Sequence, residues 1–135
     1  MSNQQPDHTP DIVELATRMF DHARQGQAQT LDQYLRAGLP VNLTNDQGDT
    51  LLMLAAHHGH PETVATLITH GADLDRLNDH GRSPLAAAVF QGQSDLVALL
   101  THHGADPDAG TPTARESAHL FNKSTYLTLF QAPTE

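Results

Sequence analysis

The sequence predicts an all-α protein, a short solenoid of stacked helix-turn-helix units. Two observations carry that prediction: glycines recur at a fixed period, and helix-capping residues recur in register with them. Gly26, Gly59 and Gly92 are spaced by 33 residues, as are Gly38, Gly71 and Gly104, and the pairs Gly48/Gly81 and Asn45/Asn78 keep the same spacing. The segment GADLD at 71–75 returns as GADPD at 104–108. Self-similarity at such a period marks units that bury their apolar faces only against their neighbours.

In chain order, the first helical pattern lies in IVELATRMFDHARQG and the second in AQTLDQYLRAGLPVN, between Asp11 and Asn42. Thr50 then caps the next helix, and Ser83 does so one unit later, with Pro84 at the first helical position where a missing N–H costs nothing. Gly59 and Gly92 end those helices in the left-handed conformation. Pro61 opens the following helix with Glu62 in its first turn, as Asp95 is in the next unit, and Gly71 and Gly104 terminate it. His70 and His103 fall at the last turn, where a protonated ring is favoured by the helix dipole. Leu52, Leu54, Ala55, Ala56, Val64, Leu67 and Ile68 form an apolar face too narrow to be a core alone. Leu85, Ala87, Ala88, Val89, Leu96, Val97, Leu99 and Leu100 repeat it. Burying each large aliphatic contributes about 1.5–3 kcal/mol, so stacking of units stabilises the fold.

The segments GDTLLMLAAHHGHPETVATLITHGADLD and GRSPLAAAVFQGQSDLVALLTHHGADPD resemble ankyrin repeats, matching that family's G-x-T-P-L-H-x-A-A, then G-H, then G-A-D. The resemblance is close over residues 45–110 and looser over about 12–130. It implies antiparallel helix pairs with loops projecting as short β-turn fingers. Residues 11–44 lack the finger before the first helix, and Gly38 is followed by Leu-Pro rather than Ala-Asp, so this unit is expected to be an N-terminal cap repeat. Full repeats follow at 45–77 and 78–110. After Asp108 the loop is about three residues short, aligning Thr113 with Thr50 and placing Asn122 at the glycine position, so 111–130 is expected to be a C-terminal cap. Tails are expected at 1–10 and 131–135.

With 16 acidic residues against 7 Lys and Arg, the net charge is -9, and the cations are scattered. Nucleic acid and anionic membrane are therefore not expected as partners, whereas a protein with a basic surface is an electrostatic match. No apolar run approaches the ~20 residues of a membrane span, and the N-terminus lacks the pattern of a secretion signal, so a cytoplasmic location is expected. The chain has no cysteine, which removes disulfides and thiol catalysis.

The 10 histidines are the one compositional sign of a site. His57 and His60 are three apart and His102 and His103 adjacent, but Gly59 breaks the helix between the first two. The aligned unit carries Phe90, Gln91 and Gln93 instead of His57, His58 and His60, so no two-repeat ligand set is built. No metal site and no cofactor are expected, and His60, at the family's G-H position, is expected to be structural. No G-x-S-x-G, phosphate loop or H-E-x-x-H occurs, and no enzyme activity is expected.

The resemblance implies binding of a partner protein through the finger tips and the exposed side of the first helices, which line a concave groove. Carried onto this chain, the tips are Asp46, Gln47 and Asp49, then Asp79, His80 and Arg82; the helix positions are Met53, His57 and His58, then Ala86, Phe90 and Gln91. Met53 and Ala86 replace the family's His, and Leu51 its Pro, which either loosens the finger or frees the position for contact. Met53 and Phe90 would serve as apolar anchors. Phe90 is either such an anchor or packed between helices, and Leu120, its equivalent in the cap, is expected to pack. His57, His58 and His80 would make binding pH-dependent. Alternatives are an accessory or chaperone-like subunit of one enzyme or basic protein, and metal binding by the histidines.

Overall fold

The structure, a computed structural model, describes residues 11–131. The expected tail at 1–10, and all of the C-terminal tail but Gln131, lie outside the described residues. Eight helices follow one another: α1 Ile12–Gln25, α2 Ala28–Arg36, α3 Leu51–His57, α4 Pro61–Thr69, α5 Pro84–Phe90, α6 Ser94–His102, α7 Ala114–Leu120 and α8 Ser124–Phe130. Each odd-numbered helix packs on the even one after it, and the two sets form rows, α1 to α3 to α5 to α7 and α2 to α4 to α6 to α8.

Side-chain oxygens start every first helix of a pair. Thr50 and Ser83 accept from the backbone N–H of Met53 and Ala86 at 3.0 and 3.1 Å. Asp11 with Glu14 and Thr113 with Glu116 go further and form reciprocal capping boxes, satisfying two otherwise unpaired donors each. Gly26, Gly59, Gly92 and Asn122 all adopt positive φ after those helices. Asn122 thus takes the place that glycine holds in the other units.

The core runs unbroken through the stack, from Met19, Leu31 and Leu35 through Leu52, Leu67, Leu85 and Leu100 to Tyr126 and Phe130. Ala55, Ala56, Ala87 and Ala88 are fully buried between helices. Between α2 and α3 and between α4 and α5 the chain makes two-residue-wide fingers, with Asn45 and Asn78 donating their N–H to the carbonyls of Asp49 and Arg82 at 3.0 Å. The side chains of these asparagines hold the fingers as well: Asn45 Oδ1 accepts from Gln47 and Asp49 N–H, and Asn78 Oδ1 from His80 and Arg82 N–H, all within 3.0 Å. Both fingers are thus closed by asparagine hydrogen bonds in the absence of the family's His.

Acidic loops at the ends of the second helices stack in turn. Asn42 Oδ1 accepts from Asp73 N–H, and Asp75 Oδ1 from Asp106 N–H, both at 2.8 Å. At the last step Asp108 takes the Arg115 guanidinium instead, at 2.8 and 3.2 Å. That ion pair holds the Asp108 carboxyl below its usual range, chiefly through its hydrogen bond to Arg115.

Candidate functional site

The left-handed residues set a register along the row of first helices. Two residues before each stand Arg24, His57, Phe90 and Leu120; one before stand Gln25, His58, Gln91 and Phe121; one after stand Gln27, His60, Gln93 and Lys123. In α3 and α5 the last turn is where side chains leave the stack, because the earlier turns are enclosed by neighbouring first helices and by the paired second helix.

This enclosure corrects two expectations. Met53 and Ala86 are 3% and 2% exposed. Residues 51–56 are buried without interruption, since α3 is packed by α1, α5 and α4 on three sides, so Met53 is a core residue and neither position presents a side chain to a partner. Asp49 is also drawn inward: it is half-buried, and Asn78 Nδ2 donates to its Oδ1 at 2.9 Å, joining one finger to the next. Asp79 N–H donates to the Gln47 carbonyl at 2.9 Å along the same seam. Asp46, Gln47, Asp79 and His80 remain exposed at the tips, and His57, His58 and Gln91 at the helix ends.

Phe90 is 51% exposed, with the Arg82 guanidinium 4.9 Å from its ring centroid and the Phe121 ring edge-on at 5.5 Å. Leu120, expected to pack, is 77% exposed, and Phe121 is 39% exposed. No helix follows α7 in the row among the described residues, so the end of this helix has a neighbour on one side only. Phe121 did not stand out in the sequence, where its aligned residues are His58 and Gln91; the signal for it was its position beside Leu120 at an edge.

The histidines separate into distinct roles. His60 Nε2 lies 2.8 Å from the Arg24 carbonyl; a carbonyl only accepts, so this nitrogen carries the proton and ties α4 to the end of α1. Its ring covers Gly26, where an added Cβ would lie 2.4 Å from Nδ1. His70 leaves its own helix end to reach Asp32 Oδ1 at 2.7 Å, while Arg36 holds the other oxygen at 2.8 Å. That differs from the expected dipole role; His103 keeps closer to it, bonding the Leu99 carbonyl at 3.0 Å through Nδ1. His57 and His58 meet edge-on at 5.0 Å. Partial burial, followed by the charges of His57, His60 and Arg24, lowers the His58 pKa. Among the described residues, no group of three or more His, Asp or Glu side chains is placed to hold a metal ion.

The geometry is that of a helical repeat scaffold whose variable side chains gather at finger tips and at the ends of the first helices. The family model for ankyrin repeats matches residues 19–111, more than half the chain, with three copies, and the chain belongs to the ankyrin-repeat family. An ankyrin repeat protein of Pseudomonas aeruginosa is 50% identical to it over 54 residues, which are 40% of this chain and 32% of that protein. The match thus spans about a third of the relative's length. Ankyrin repeats are in general protein–protein interaction modules, and the family is typically non-enzymatic. No helix among the described residues is long and apolar enough to cross a membrane.

Proposed function

We propose that this protein is a binding module for a partner protein, engaged along the finger tips and the ends of the first helices, and that it has no catalytic role. The observation that carries the reading is the row of exposed, unit-to-unit variable side chains His57, His58, Phe90, Gln91 and Leu120 that follows the buried turns of the first helices. Asp46, Gln47, Asp79 and His80 border that row. Arg82 contributes by holding the Phe90 ring rather than by reaching out. The partner is a protein with a basic surface, not nucleic acid or membrane, because exposed carboxylates dominate the tips and the chain carries a net charge of -9. A cytoplasmic setting fits this role.

Affinity capture on the immobilised chain with mass spectrometry tests the reading. A partner is expected that is retained by the native chain and lost by a tip variant, Asp46→Lys with Asp79→Lys. Retention of every captured protein by that variant would remove the tips from the interface. One stoichiometric partner would favour an accessory role for a single enzyme or basic protein over a general scaffold. Contacts by His57, His58 and His80 make the affinity pH-dependent; an affinity flat between about pH 5.5 and 7.5 would exclude them.

A further inference from the structure

We propose that the docking site is polarised, with its anchor at the C-terminal end of the row, and that its occupant is a basic amphipathic segment of a partner protein. An apolar side chain of that segment seats among Phe90, Leu120 and Phe121, and its cations face Asp46 and Asp79. This rests on the protein-binding reading above and narrows it to a place and a chemistry.

Three observations converge on the anchor. The equivalent positions two residues before the left-handed residue run from Arg24 through His57 to Phe90 and Leu120, so at this register the apolar side chains are those of the last two units. Phe90 and Phe121 touch through their rings, and Leu120 holds on α7 the position that Phe90 holds on α5, the helix packed against it. Aromatic side chains, Phe among them, are enriched at interfaces, and a few anchors near the centre of the patch carry most of the binding energy. Phe90 is also braced by Arg82, which fixes its ring without covering the cluster's other members.

Charge decides the kind of occupant. Arg82 closes the finger that begins at Asn78, so its contact with Phe90 brings that finger, with Asp79 near its tip, to the edge of the cluster. Asp46 stands at the tip of the adjacent finger, which is joined to the first by the Asp79 to Gln47 bond. Two cations oppose them nearby, Arg82, whose guanidinium lies over the Phe90 ring, and Lys123, two residues beyond Phe121, so the case for a basic occupant rests on Asp46 and Asp79 together with the acidic balance of the whole chain. A second copy of this chain would bring its own carboxylates against this lip, and a net charge of -9 on each molecule opposes that pairing. A helix with apolar residues at i, i+4 and i+7 and lysine or arginine elsewhere satisfies both features.

Fluorescence anisotropy with a labelled synthetic peptide of that pattern, leucine on one face and lysine on the others, tests the proposal against the whole chain. Saturable binding is expected, with about tenfold or greater weakening in Leu120→Ser. The double variant Asp46→Asn with Asp79→Asn should weaken binding and flatten its salt dependence. The same peptide with glutamate in place of lysine should not bind. Leu120 projects from the end of its helix, so an unchanged melting curve is expected for Leu120→Ser; Phe121→Ser is the second variant should it fold poorly. Equal affinity for the native and Leu120→Ser chains would mean that charge alone attracts the peptide and would overturn the anchor. Binding of the glutamate peptide would overturn the basic occupant, and concentration-dependent self-association lost in Leu120→Ser would assign the cluster to a second copy. Natural partners captured equally by native and Leu120→Ser chains would sink this proposal while leaving the protein-binding reading intact; absence of any captured protein would sink that reading itself.

Discussion

Gly26 and Gly92 occupy equivalent positions, both with positive φ, yet their surroundings differ. An alanine at Gly92 would meet nothing within 4 Å, so its cost is the left-handed backbone alone, about 1–2 kcal/mol. At Gly26 the new methyl would strike the His60 ring, which is itself held by the Arg24 carbonyl, so ring displacement and an unmade hydrogen bond add roughly 1–3 kcal/mol. Urea denaturation should therefore rank Gly26→Ala as clearly the less stable variant; equal midpoints would refute the packing of His60 over that glycine. His58 offers a second residue-level check. Its pKa is lowered in the folded protein, so on acidification the unfolded chain takes up the proton first. The stability associated with neutral His58 is present above pH 6.5 and is lost as pH falls below that value. His58→Gln should flatten the stability profile on that side, and an unaltered profile would show that the environment of this ring does not matter to folding.

Helix starts show what could be read from sequence at the level of elements. Thr50 and Ser83 were legible because each precedes a compact apolar run, and the positive φ at Gly59, Gly92 and Asn122 followed from the punctuation of the repeat. Both capping boxes are written in the sequence as D-x-x-E at 11–14 and T-x-x-E at 113–116, but they lie in the two end units and do not recur at the period of the repeat. The caps also differ in consequence. Ser83 is fully buried, so truncating it strands the Ala86 N–H away from water, whereas Thr113 is half-buried and water can reach the freed donor. Thr113→Ala should cost about 1 kcal/mol and Ser83→Ala about 2 kcal/mol or more in chemical denaturation. The reverse order would indicate that the Glu116 arm of the box dominates.

Across the whole molecule, the period revealed the fold because every unit repeats the same local solutions; what it concealed were the relations between units. Met53 was misplaced because exposure was inferred within one unit, while its burial arises from α1 and α5 on either side. Leu120 was misplaced for the complementary reason, since the row ends beside it. The Asp32 to His70 contact spans 38 residues and is not repeated, because the position of Asp32 is Ala65 in the next unit and His103, the repeat of His70, bonds the Leu99 carbonyl instead. It joins α2 to α4, and with Arg36 it forms a small network on the row of second helices. The hydrogen bond from His70, followed by the Arg36 contacts, lowers the Asp32 pKa below its ordinary 3.8 despite an opposing contribution from burial. A carboxylate so shifted binds protons less readily in the folded chain than in the unfolded one. Its contribution to stability is therefore present above pH 3.8 and is lost as pH falls through the folded-state value. Because stability in a repeat stack is a sum of units and nearest-neighbour interfaces, loosening this tie should act first on the junction between the first two helix pairs. Asp32→Asn should flatten the acid limb of the stability curve and raise amide exchange in α2 at neutral pH more than in α6. Exchange rising equally in both helices would show that the stack opens as one unit and that this contact is not a local tie.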